Sequence, residues 1–79
     1  MRARVHVFLK AGVLDVQGKA VENALHGLGW TGVSDVRVGK TLEFDLSGVE
    51  PVAAEAEVRR MCETLLANMV IEGYRIEIS

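Results

Sequence analysis

Two stretches of this chain, Leu9 to Val21 and Met61 to Ile78, each join a strand-like pattern to a helix-like one. The first runs strand then helix, and the second runs helix then strand. Residues 3–9 alternate strictly. Ala3, Val5, Val7 and Leu9 point one way, and Arg2, Arg4, His6, Phe8 and Lys10 point the other. Side chains on a strand change face at every residue, so this is a half-buried strand. Gly12, Asp15 and Gly18 then break the alternation. Asp15 is placed to cap a helix running to about Leu28. Val21, Ala24, Leu25 and Leu28 form its apolar stripe, with Glu22, Asn23 and His26 away from it. Gly29 suits the left-handed residue that ends a helix, and Trp30 is expected to pack over that end.

The middle of the chain has the pattern of a hairpin. Val33, Val36 and Val38 give one strand, and Leu42, Phe44 and Leu46 give the core face of the next. Gly39-Lys40 suits a two-residue turn, unless the strand runs on through Gly39 and the bend lies elsewhere. Ser47-Gly48 breaks the pattern, and Pro51 is tolerated in the first turn of a second helix. Ala54, Val58, Met61, Cys62, Leu65 and Leu66 form its apolar stripe, and Asn68 ends it. Tyr74, Ile76 and Ile78 alternate with Arg75 and Glu77 in a last strand. The order strand, helix, strand, strand, helix, strand predicts an α+β, ferredoxin-like βαββαβ fold. It would have a four-stranded antiparallel sheet, ordered 4-1-3-2, with two helices on one face.

A chain of 79 residues is expected to form one domain spanning residues 1–79. It would bury only about 60–65% of its unfolded surface, which favours oligomerisation. The net charge of −2 shows no basic excess for nucleic acid. One cysteine cannot form an internal disulfide, and no Cys/His cluster has metal-ligand spacing. The N-terminal run is unlike a signal peptide, and no segment approaches a membrane span. A cytoplasmic protein is the default.

Chemistry-bearing residues have plain structural explanations. Cys62 sits on an apolar stripe as a buried small hydrophobe. His26 lacks a partner acid and nucleophile. Asp15 and Lys19 have the spacing of a weak helical pair. Gly39-Lys40-Thr41 resembles the end of a phosphate loop, but position 34 is serine where that loop needs glycine. An RNA-stacking sheet would need more aromatics than Phe8 on the open face. That face carries Arg2, Arg4, His6, Phe8, Lys10, Glu43, Asp45, Arg75 and Glu77. It is either a wet charged surface or a self-association surface with Phe8 as anchor. The self-association set is Arg4, His6, Phe8, Arg75 and Glu77.

The run Leu9 to Gly18 resembles the Leu-Lys-x-Gly-Val-x-Asp-Pro-Gln-Gly segment of the PurS family. That family is the small subunit of bacterial and archaeal phosphoribosylformylglycinamidine (FGAM) synthase. Ala20-Val21, Ala24-Leu25, Leu28-Gly29, Val36 to Lys40 and Leu42 to Leu46 continue the resemblance. So do Cys62, Leu65 to Asn68, Val70 to Glu72, Tyr74 and Ile76-Glu77. The family usually has proline where this chain has Val16 and Met69.

The resemblance implies a non-catalytic subunit of an ATP-dependent, glutamine-hydrolysing ligase in de novo purine biosynthesis. It would bridge the synthetase PurL and the glutaminase PurQ and help protect ammonia in transit. No catalytic, metal or cofactor site is expected on this chain; ATP and Mg belong to the synthetase. The chain would also be a homodimer or homotetramer. The expected partner-binding residues are Lys10, Gly12, Val13, Leu14, Asp15, Gln17, Gly18, Arg37 and Lys40. The competing expectation is a free-standing ferredoxin-like domain that binds a small regulatory ligand.

Overall fold

The computed structural model describes all 79 residues. Strand β1 spans Arg2–Leu9, helix α1 Val16–Gly27 and strand β2 Gly39–Asp45. A 3₁₀ turn at Pro51–Ala53 leads into helix α2, Ala54–Met61. A π-helical turn, Cys62–Leu66, extends α2, and strand β3, Glu72–Ile78, ends the chain. The class is α+β, with β1 central between antiparallel β2 and β3. Ala3, Val5 and Val7 face α2 and are fully or nearly fully buried; in register, Ala3 lies opposite Phe44, Val5 between Leu42 and Ile76, and Val7 opposite Tyr74. Val58, Cys62 and Ala67 complete the core from the other layer. Tyr74 on β3 reaches the π-helical turn and donates a hydrogen bond to Glu63 at 2.6 Å.

The expected fourth strand is absent, and the sheet has three strands. Residues 33–38 lie instead against α1. Glu22 accepts the N–H of Val36 at 3.2 Å, and Asp15 accepts that of Val38 at 2.6 Å. His26 Nε2 donates to the Val33 carbonyl at 2.6 Å. A helix face of polar side chains thus satisfies backbone groups that a neighbouring strand would otherwise pair. Gly39 and Lys40 are not a turn either. They open β2 opposite Phe8 and Val7, as in the alternative where the strand runs on through Gly39.

Nor do two helices cover one face. The helix α2 packs along β3, whereas α1 makes no substantial packing contact with any strand. It stands off the end of the sheet as an arm, and the molecule measures 50 × 24 × 14 Å. Glu22 is buried and His26 half-buried, while Val21 and Leu28 of the apolar stripe are exposed. The faces of α1 are therefore used the opposite way from the expectation. The polar face is packed within the chain and the apolar one is left open.

Local signals held well. Asp15 caps α1 by accepting the Gly18 N–H at 2.7 Å. At the other end Gly29 has φ 106°. Its N–H donates to His26 O and that of Trp30 to Leu25 O, the two bonds of a left-handed helix stop. Trp30 itself does not cover the helix end and is largely exposed. In the second helix Ala67 N–H bonds to Cys62 O, five residues back, at 2.9 Å. That wider winding turns Ala67 inward and leaves Leu65 exposed, although three-and-four spacing puts Leu65 on the stripe.

Candidate partner-binding site

The loop between β1 and α1 is held at three points. Lys10 N–H donates to Ile71 O at 2.8 Å, and its ammonium donates to Met69 O at 2.9 Å. Arg37 reaches across from the 33–38 segment and donates to Lys10 O at 3.1 Å and Val13 O at 2.9 Å. Asp15 ties the helix start to Val38 through its second oxygen. Chiefly the Val38 N–H, then the Gly18 N–H and the Arg37 charge, hold the Asp15 carboxyl below the ordinary range. Glu22 is lowered likewise, first by the Val36 N–H and then by its bond to Lys19.

This clamped loop and the sheet end enclose a cleft of about 380 Å³. Its walls include Phe8, Leu14, Val16, Val38 and the polar Asp15, Gln17, Lys40 and Glu72. Leu14 and Val16 stand on the rim, exposed by 74% and 72%. Of the expected partner-binding residues, Leu14, Asp15, Gln17 and Lys40 meet at this cleft. Lys10, Val13 and Arg37 form the clamp behind it. Gly12 lies at the loop tip with open space around its Cα. Gly18 is buried, and a Cβ there would clash with the Val36 carbonyl oxygen. It permits close packing of the 33–38 segment on α1. Lys19 pairs with Glu22 at 3.1 Å and not with Asp15.

Sequence reasoning missed Glu22 and His26. They fall with Asp15 on one helix face at spacings of seven and four, opposite the alternating Val36 and Val38. That juxtaposition was the available signal.

The second predicted set does share one open sheet face. Arg4 pairs with Glu43 and lies 3.6 Å from Glu77. His6 sits between Thr41 and Glu77 at 3.1 and 3.2 Å, so one imidazole spans all three strands. Arg2 reaches Asp45 at 3.0 Å, and Arg75 lies 3.9 Å from Glu77. These are exposed pairs, each of little weight for stability. Lys10 does not join them. Phe8 lies over Gly73, where an added Cβ would meet its ring at 2.9 Å. The ring thus covers bare backbone within its own sheet.

Residues 2–79 match the family model of PurS, phosphoribosylformylglycinamidine (FGAM) synthase. The chain is 46% identical over 77 residues to the FGAM synthase subunit PurS of Bacillus subtilis, covering 98% of this chain and 90% of that one. The solved B. subtilis PurS structure superposes with a TM-score of 0.86 over 99% of this chain and 96% of that one, at 45% identity. A chain in the structure of PurLQS from Thermotoga maritima gives a TM-score of 0.86 at 26% identity, covering 96% of this chain and 93% of that one. No helix here is long and apolar enough to cross a membrane. With a matching family model from end to end and a relative of this identity, the chain belongs to the PurS family, a subunit of FGAM synthase in purine biosynthesis.

Proposed function

We propose that this chain is the non-catalytic small subunit that joins a PurL-type synthetase to a PurQ-type glutaminase and supports the passage of ammonia between them. The observation that carries this reading is the full-length likeness to a chain of the T. maritima PurLQS structure. The cleft at the start of α1, with Leu14 and Val16 on its rim and Lys40 in its wall, is the surface offered to the synthetase. An apolar rim beside a cation without an ion-pair partner suits a docking site better than a reaction centre. The chain works in the cytoplasm as a homodimer or homotetramer and carries no cofactor of its own. ATP and Mg act on the synthetase.

The test is amidine formation by the other two subunits with and without this chain, driven either by glutamine or by free ammonia. The bridging role requires glutamine-driven turnover to need the chain and ammonia-driven turnover largely not to. Indifference in both assays would overturn it. The alternative of a free-standing ligand-binding domain then predicts a thermal shift with a specific amino acid or nucleotide.

A further inference from the structure

The chain has nine Lys and Arg residues. Six of them meet carboxylates of their own chain, on the open sheet face or along the two helices. Lys10 and Arg37 are held by backbone carbonyls. The one that remains, Lys40, has no partner in the chain and lines the cleft at the start of α1. The two carboxylates of the cleft wall are already engaged. Asp15 accepts the N–H groups of Gly18 and Val38, and Glu72 accepts that of Asn68 at 2.6 Å. Alternation puts Lys40 on the face of β2 that carries Leu42, and Glu72 on the face of β3 that carries Tyr74. In register Lys40 lies opposite Val7 and Glu72 opposite Leu9, on opposite flanks of β1. They are separated laterally by two strand spacings, about 10 Å. Asp15 ties the Leu14–Val16 rim to Val38, two residues before Lys40. The apolar rim and the free ammonium therefore share one flank, and Glu72 occupies the other.

We infer that the synthetase segment seated in this cleft presents a bulky apolar side chain with a carboxylate beside it, the first against Leu14 and Val16 and the second on the Lys40 ammonium. The inference rests on the proposed docking of this cleft on the synthetase and specifies what the cleft recognises. Charge complementarity argues for it. Contact at an apolar rim strips water from the ammonium next to it, and a desolvated charge is costly unless it is paired. No carboxylate of this chain supplies the pair, so the partner must. A neutral or basic residue at that point would leave Lys40 covered and unpaired. The methylene stem of Lys40 continues the apolar wall while its head takes the charge. Glu72, on the far flank, repels the same segment laid in the reverse direction. The two flanks thus fix the direction of the segment as well as its place.

The experiment couples Lys40 to the carboxylate it touches. A water-soluble carbodiimide joins an amine and a carboxylate in contact as an amide, with loss of water. The wild-type chain is assembled with the synthetase and glutaminase, treated, digested and read by mass spectrometry. The expected product is an amide between Lys40 and an Asp or Glu of the synthetase that has a large apolar neighbour. Full assembly in which other lysines couple across the interface and Lys40 does not would overturn the inference. Affinity for the synthetase is the second readout. Lys40→Met keeps an apolar stem without the charge and should weaken binding at least tenfold. It should also flatten the fall in affinity between salt concentrations of about 0.01 and 0.15 M. Lys40→Arg should restore most of the loss. Arg60→Met removes the same charge from α2, where that side chain is 77% exposed, and should leave affinity unchanged. Equal losses from Lys40→Met and Arg60→Met would reduce the effect to overall charge and overturn the inference. If Leu14→Asp weakens binding and Lys40→Met does not, the cleft docks without a carboxylate; the inference falls and the docking stands. If neither weakens it, the docking itself falls, and the inference with it.

Discussion

Asp15 commits both carboxylate oxygens to backbone donors, one from its own helix and one from Val38. Its pKa is lowered in the folded chain. A lowered carboxylate contributes stability above its unfolded pKa of about 3.9, and the contribution is lost as pH falls through the folded value. Asp15→Asn should therefore lower the melting temperature clearly at pH 7 and much less at pH 2–3, with a shallower acid limb. An equal loss at both pH values would mean that ionisation is irrelevant there. Gly18 sets a second test in which two effects oppose. Alanine should gain about 1 kcal/mol of helix propensity. Its Cβ would meet the Val36 carbonyl, so Gly18→Ala should cost about 1–3 kcal/mol through overpacking. Denaturant unfolding gives the sign directly. The cap role of Asp15 is legible in sequence, because a capping side chain acts within three residues. Its bond to Val38, 23 residues away, is not, because no local pattern encodes it.

Among the elements, α1 begins at Val16 and α2 ends in a π turn. Both bear on what periodicity can reveal. Val16 occupies the first helical position, where the N–H has no partner within the helix and proline's fixed φ is already suitable. Val16→Pro should stabilise the chain by about 0.5–1 kcal/mol through the unfolded state, measured by urea denaturation. A loss would show that the Val16 N–H is used or that its φ does not suit proline. For the second helix, the stripe through Val58 and Cys62 was readable from three-and-four spacing. The π turn adds an extra residue to the winding and rotates the residues at its C-terminal end. Leu66 packs against the core and Leu65 is exposed by 82%. Leu66→Ala should thus cost about 2 kcal/mol or more in the isolated chain, and Leu65→Ala less than about 0.5. The strand expected at 33–38 failed for a related reason. Alternation shows that a segment is extended with two unlike sides, but not what its N–H groups face. Glu22 and His26, judged polar and therefore outward, supplied that partner.

For the whole molecule, the layout separates a stiff sheet from a pinned arm, with the cleft where they meet. Leu14 and Lys40 belong to the cleft, whereas Lys10 also holds the loop to residues 69–71. Substituting Lys10 would disturb the arm as well as any contact, so Leu14 is the cleaner probe. Leu14 is exposed by 74%, and Leu14→Asp should leave the chain's own unfolding within about 0.5 kcal/mol of wild type. If the cleft seats on the synthetase, an aspartate at the rim must be desolvated in an apolar contact. Affinity should then fall at least tenfold, the order expected for a central apolar anchor. In the reconstituted complex, glutamine-driven turnover should fall with that loss of assembly and recover at higher concentration of the variant, while ammonia-driven turnover stays near wild type. The concentration dependence is the deciding part. A fall that excess subunit does not reverse would mean that Leu14 acts in ammonia passage after assembly. No fall in affinity would move the synthetase contact away from this cleft, with the charged face around His6 as the next surface to test.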